Sequence, residues 1–168
     1  MSSKKHTIRL IALDCDGVLT DGHVWFFENA PQVLKRYSFK DIMGLNLAQR
    51  AGFRIAIISG EKIAKALVRK IDIRKIYPDV KHPPIVMEKI RNKQAAIKQA
   101  MEKCSVSSRE TLYIGDDVND IAAMETVKTS VAVQDANPMV KRIAKIVTKA
   151  KGGKGAVREI VDYLIAKK

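Results

Sequence analysis

Cysteine is nearly absent from this chain, with Cys15 and Cys104 the only two among 168 residues. They lie far apart and outside any Cys-x-x-Cys or Cys/His spacing, which excludes a structural zinc site and suits a reducing compartment. Aromatic residues are also few at 5%, including four Phe and one Trp. So few rings leave little on which to stack bases, and they argue against a nucleic-acid groove. Acidic residues are outnumbered, 18 against 31 Lys+Arg, for a formal charge of +13. That surplus favours anionic ligands, but the basic residues are spread over helical patterns, as at Lys62, Lys65, Arg69 and Lys70, and read as solvated faces. The amino-terminal Met-Ser-Ser-Lys-Lys-His is polar and resembles neither a signal peptide nor a membrane span. A cytoplasmic protein with no membrane partner is expected.

What is present is an ordinary globular balance, 46% hydrophobic and 29% charged. The length suits one domain, 1–168, whose core needs neither disulfides nor metals as staples. Residues 8–13 form an almost wholly apolar run ending in Asp14-Cys-Asp-Gly, the pattern of a buried strand delivering carboxylates to a loop. The segment from about 22 to 39, with Val24 to Phe27, a turn-like Glu-Asn-Ala-Pro and then Val33, Leu34, Tyr37 and Phe39, reads as a β-hairpin. Its apolar residues exceed what a solvent-facing hairpin displays, so they call for a cover, either another subunit or the rest of the domain.

A helical pattern at 40–51 stops at Gly52, and Phe53-Arg-Ile-Ala-Ile-Ile predicts a second buried strand ending at Ser59-Gly60. A helix over 61–71, a short strand around Ile76 and Tyr77, and a helix over about 85–103 entered through Pro83-Pro84 follow. Leu112-Tyr-Ile-Gly supplies a strand ending in Asp116-Asp117, before a helix around 120–127, a strand at Ser130-Val-Ala-Val and a small helix from Asn137. The Gly- and Lys-rich stretch beginning at 149 leads into a last helix. This alternation implies an α/β fold, a Rossmann-like three-layer α/β/α arrangement around a mainly parallel sheet. Ligands of such folds gather at the carboxyl ends of the strands. Asp14-Cys-Asp, Ser59-Gly60 and Asp116-Asp117 are therefore expected to meet.

Together these ends carry the parts of metal-assisted phosphoryl transfer. Side chains two apart in an extended segment share a face, so Asp14 and Asp16 point one way and Cys15 the other. Paired carboxylates need a cation, a shared proton or a basic neighbour, and Mg²⁺ is the simplest answer, with Asp14, Asp16 and Asp116 as ligands. Asp14 is the candidate nucleophile, forming an aspartyl-phosphate. Asp16 is the candidate general acid for the leaving alkoxide. Ser59, the amide of Gly60 and Lys93 are candidate phosphate-binding groups. Asp117 and Asp120 are supporting candidates, although the Asp116-Asp117-x-x-Asp120 pattern also fits a helix cap.

Asp14-Cys-Asp-Gly-Val-Leu-Thr-Asp-Gly, Ile57-Ile-Ser-Gly, Lys93 and Gly115-Asp-Asp-Val-Asn-Asp together resemble a haloacid dehalogenase (HAD) superfamily phosphatase. The second aspartate, Asp16, favours phosphatases and mutases within that superfamily. The Val-Leu-Thr-Asp-Gly continuation, the hairpin, Phe39-Lys-Asp-Ile-Met-Gly-Leu and Gly152-Gly-Lys-Gly-Ala-Val-Arg-Glu-Ile are similar to the 3-deoxy-D-manno-octulosonate 8-phosphate (KDO 8-phosphate) phosphatases and their relatives acting on nine-carbon acidic sugar phosphates. The resemblance implies a capless HAD-like domain with a hairpin insertion, hydrolysing a small phosphorylated sugar. It also implies a homotetramer in which hairpins associate and a neighbour's glycine-rich tail, here about 149–168, helps close each site. Arg158 then becomes a candidate for the substrate's anionic group, or else a surface residue of the last helix. Two departures bear on the substrate. Ser59-Gly60-Glu61 stands where the group has Thr-Gly-Arg, replacing a cation by an anion. The segment from His82 to Asn92 is longer than usual, and its Glu88-Lys89 makes Lys89 a rival to Lys93, which the match of Asn92-Lys93-Gln-Ala-Ala-Ile nevertheless favours.

Overall fold

The computed structural model describes residues 8–168, the side chains of 30–32 excepted, so the polar amino-terminal stretch lies outside the described residues. Six strands form one sheet in the order β5-β4-β1-β6-β7-β8, with β1 at Leu10–Leu13, β4 at Arg54–Ile58, β5 at Ile85–Met87, β6 at Thr111–Gly115, β7 at Thr129–Ala132 and β8 at Ile146–Val147. Every pairing in it is parallel, with Leu13 opposite both Ile57 and Ile114. All four residues of β1 are fully buried, the signature of a central strand covered on both faces.

From β1 the chain moves outward to β4 and β5, then returns to the other side of β1 for β6, β7 and β8. Right-handed crossovers in opposite directions put their helices on opposite faces. The packing agrees: α1 (Phe39–Arg50) lies against α2 (Lys65–Ile71) and α6 (Ala156–Ala166). A second group joins α3 (Lys93–Cys104) to α4 (Ile121–Thr126), and α4 to α5 (Pro138–Ile143). The reversal at β1 opens a crevice at the carboxyl ends of β1, β4 and β6, where the three polar strand ends emerge.

Two expectations are corrected. Ile76 and Tyr77 form no strand; both amides bond back to the Ile73 carbonyl in a turn, and Ile76 is 71% exposed. The strand is Ile85–Met87 instead, within what had read as helix. Pro83 and Pro84 favour extended backbone before it, and β-branched Ile85 and Val86 pair along β4. The helix waits for Asn92, whose Oδ1 accepts the Ala95 N–H at 2.9 Å. The two-residue β8 has too little periodicity to be read from sequence.

The hairpin pairs β2 (Thr20–Phe27) with β3 (Ala30–Tyr37), antiparallel and separate from the main sheet. Phe26 is 81% exposed, with Trp25, Phe27, Val33 and Leu34 also open to solvent. Among the described residues, nothing covers them.

The phrase around Asp41 and the glycine-rich tail meet within the chain. Buried Asp41 on α1 accepts the N–H groups of Gly155 and Arg158 at 2.9 and 3.0 Å, satisfying donors at the start of α6. A Cβ on Gly44 would stand 3.0 Å from the Arg158 Cα, so a side chain there would press on the α1–α6 contact.

Candidate active site

Asp14 follows directly on β1 and is pinned there by its N–H to the Ile114 carbonyl of β6 at 3.0 Å. Its Oδ1 accepts the Cys15 N–H at 2.7 Å, and its Oδ2 lies 2.8 Å from Lys93 Nζ. Cys15 turns into the core, with its thiol pushed up to about 12 foremost by burial. Lys93, at the first turn of α3, is itself buried and also reaches Asp120 Oδ1 at 2.8 Å. Burial works against its charge, but Asp120 and Asp14 outweigh that and raise its pKa. Lys89, the rival lysine, is exposed on the preceding loop.

Asp120 is fully enclosed and fully used. Its Oδ1 accepts from Lys93 and from the Tyr113 hydroxyl at 2.8 Å, and its Oδ2 from the N–H groups of Asp116 and Asp117 at 3.0 and 3.3 Å. Gly115 admits it, since a Cβ there would fall 2.6 Å from the Asp120 Cβ. Asp117 caps the short 3₁₀ turn Val118–Asp120, accepting the Val118 N–H at 2.8 Å. The helix-cap reading therefore describes Asp117 and Asp120, whereas Asp116 is free for other work.

Carboxylate oxygens of Asp14, Asp116 and Asp120 lie within 4.8 Å of one another. The Oδ1 atoms of Asp116 and Asp16 are buried without a hydrogen-bond partner. Buried acceptors left open beside two further carboxylates are what a hard divalent cation satisfies, so the residues fit such an ion. Burial first, then repulsion from Asp120 and Asp14, pushes the Asp116 carboxyl up to about 8. The same order of causes, burial and then Asp120, lifts Asp14 to about 7 against the pull of Lys93. A cation would relieve both.

Asp16 is tied to the hairpin. Its Oδ2 is 2.8 Å from Lys35 Nζ of the hairpin, and its carboxylate does not join the three-aspartate cluster. Its other oxygen, Oδ1, stays unpaired in the cleft that Asp116 also lines. Lys35 was missed because it sits beside Arg36 in a hairpin strand, and nothing in the sequence tells which of the two basic side chains reaches the cleft.

The cleft has a volume of about 320 Å³ and is lined by Asp14, Asp16, Gly60, Lys93 and Asp116, joined by Glu61, Arg91 and Asn119. Gly17, with φ +84°, lets it close: a Cβ there would fall 2.0 Å from Asp116 Oδ2. Ser59 is buried at the end of β4, its Oγ accepting the Glu61 N–H at 3.1 Å, which turns Gly60 and Glu61 into the cleft wall. A larger groove of about 550 Å³ between α1 and α2 contains no comparable carboxylate cluster, and the chemistry belongs to the smaller cleft.

Arg158 stands apart. Its guanidinium pairs with Asp162 at 2.8 Å on α6, outside the residues lining the cleft. Gly152 and Gly153 lie against the loop after β1: a Cβ on Gly152 would fall 1.7 Å from the Gly17 carbonyl oxygen, and the Gly153 N–H donates to Val18 at 2.9 Å. These contacts account for both glycines within the chain.

The parallel sheet sets at the β1 switch point an acidic cleft that fits a divalent cation, and the chain belongs to the haloacid dehalogenase-like hydrolase family, whose model matches residues 59–160. Within that family it is 35% identical over 163 residues to the 3-deoxy-D-manno-octulosonate 8-phosphate phosphatase of Escherichia coli strain K12, covering 97% of this chain and 82% of the relative. The cobalt-bound structure of the corresponding Haemophilus influenzae phosphatase superposes with a TM-score of 0.81 at 30% identity, covering 98% of this chain and 91% of that one. The Yersinia pestis enzyme gives 0.81 at 32% identity, covering 96% and 82%. Among the described residues, no helix is long and apolar enough to cross a membrane.

Proposed function

We propose that the protein is a Mg²⁺-dependent phosphomonoesterase that releases phosphate from KDO 8-phosphate or a close acidic 3-deoxy sugar phosphate. The observation that carries this reading is the meeting of Asp14, Lys93 and Asp116 in one cleft, on a chain similar over 97% of its length to phosphatases of that name.

Asp14 attacks phosphorus with one carboxylate oxygen, giving an aspartyl-phosphate and displacing the sugar alkoxide. Asp16 stands at the cleft edge and delivers a proton to that alkoxide, then takes one from the water that opens the acyl phosphate. Lys93, held by Asp14 and Asp120, keeps a positive charge beside the reacting oxygens. Ser59 and the Gly60 amide serve the phosphate oxygens from the next strand end. Asp14 and Asp116 would hold the Mg²⁺, with Asp120 behind them as a fixed acceptor for Lys93; when bound, the ion supplies charge neutralisation for the carboxylates and the phosphate.

One six-stranded sheet and one continuous core support a single domain over 1–168, with the hairpin as an insertion. The open apolar face of the hairpin supports self-association, the tetramer being the assembly proposed. The few cysteines, both free, support a cytoplasmic setting. Phosphate release from KDO 8-phosphate, with and without Mg²⁺, by wild type and by Asp14→Asn, tests the function: Mg²⁺-dependent turnover lost in the variant is expected. Equal turnover by the two proteins overturns it.

A further inference from the structure

The charges around the cleft do not balance. Five carboxylates line it, those of Asp14, Asp16, Glu61, Asp116 and Asp117, against the cations Lys93 and Arg91. Lys93 is consumed between Asp14 and Asp120, and Lys35 of the hairpin is held on Asp16. Arg91 makes no hydrogen bond or ion pair among the described residues. It is the cation of the cleft wall left free for a ligand.

Its backbone is firmly placed. The Ile90 N–H donates to the Ser59 carbonyl at 2.9 Å, and the Glu88 carboxylate accepts the Ile63 N–H at 2.6 Å, stitching the loop to the segment after β4. Asn92, the next residue, caps α3. Lys89, with φ +56°, takes the left-handed conformation that non-glycine residues avoid, and so turns the chain toward the cleft. Arg91 is exposed while Lys93, two residues on, is buried. The loop thus sets one cation deep in the cleft and another at its exposed edge, where the non-reacting part of a substrate would lie.

We propose that Arg91 binds the carboxylate of the acidic sugar and is the residue that selects a phosphate ester bearing a carboxylate over one without it. The proposal rests on the phosphomonoesterase reading above. A guanidinium suits the task because its planar fork matches a carboxylate with two parallel hydrogen bonds. In a cleft otherwise rich in carboxylates, including Glu61, a second negative group finds no other free cationic partner among the described lining residues.

The test compares KDO 8-phosphate with ribose 5-phosphate, which lacks a carboxylate, for wild type, Arg91→Ala and Arg91→Lys. A charged hydrogen-bonded contact of this kind corresponds to about a 10- to 100-fold change in affinity. Arg91→Ala is expected to raise KM for KDO 8-phosphate by about that factor while leaving kcat and the ribose 5-phosphate constants within about 2-fold, and Arg91→Lys to recover part of the loss. Equal losses on both esters place Arg91 on the phosphate and overturn the proposal, as does no loss on either. A wild type that ignores KDO 8-phosphate but hydrolyses ribose 5-phosphate sinks the substrate reading itself, which is distinct from a wild type that turns over the acidic ester without needing Arg91.

Discussion

Lys35, carried on the hairpin, holds its ammonium 2.8 Å from the Asp16 carboxylate, tying an insertion outside the main sheet to the loop that carries the reactive aspartates. Lys35→Met therefore releases Asp16 from its anchor without touching Asp14. Turnover of an alkyl phosphate is expected to fall about 10-fold, and for Asp16→Asn by at least about 100-fold, the scale of general-acid catalysis. With p-nitrophenyl phosphate, whose leaving group needs no proton, both losses shrink in the first half-reaction, as single-turnover release of nitrophenol will show. Undiminished losses on that substrate contradict an acid role for Asp16.

Lys93 neutralises two buried aspartates, so its removal leaves uncompensated charge in the core. Lys93→Ala is expected to cost roughly 3–5 kcal/mol of folding stability, together with activity, whereas Lys89→Ala on the exposed loop leaves both close to wild type. Urea unfolding of the two variants measures the contrast. The opposite ranking would restore Lys89 as the functional lysine.

Metal and protons compete at Asp116. Its carboxyl is raised from 3.8 to about 8 in the ion-free protein, so between those values the folded state holds a proton that the unfolded chain has released. Stability of the ion-free protein accordingly falls as pH rises through that window. Thermal unfolding in EDTA from pH 5 to 8 is expected to show the decline, flattened in Asp116→Asn. Added Mg²⁺, which must displace that proton, stabilises more at pH 8 than at pH 6.

Phe26 and Leu34 stand open on the hairpin. The double variant Phe26→Glu/Leu34→Glu places charge on that face, and sedimentation is expected to show the wild-type oligomer replaced by monomer with an unchanged far-ultraviolet spectrum. A wild type that sediments as a monomer removes the proposed assembly.

The strand ends were legible because each couples an apolar run to an abrupt polar residue: Leu13 to Asp14, Ile58 to Ser59, Gly115 to Asp116. Their convergence followed from the rule for parallel sheets. The helix start at Lys93 was less visible, since Pro84 suggested an earlier entry and three apolar residues fit helix as well as strand; pairing with β4 decided it. The partner of Asp16 was hidden for another reason. Which hairpin side chain reaches the catalytic loop depends on how a separate two-stranded sheet is tilted, and residue spacing carries no record of that. Arg158 was legible only as an alternative, a substrate contact or a surface residue, and within the chain it pairs with Asp162 one helical turn away.

Gly152 rests on the carbonyl of Gly17, and Gly17 in turn makes room for Asp116. The loop bearing the nucleophile is thus braced by backbone from the far end of the chain, with Asp41 tying the start of α6 to α1 across 117 residues at Arg158. During synthesis, the first strand and its aspartates emerge long before the glycines that back them. A chain trimmed before Gly152 would hold every reactive carboxylate yet lack the brace, and is expected to lose catalytic competence.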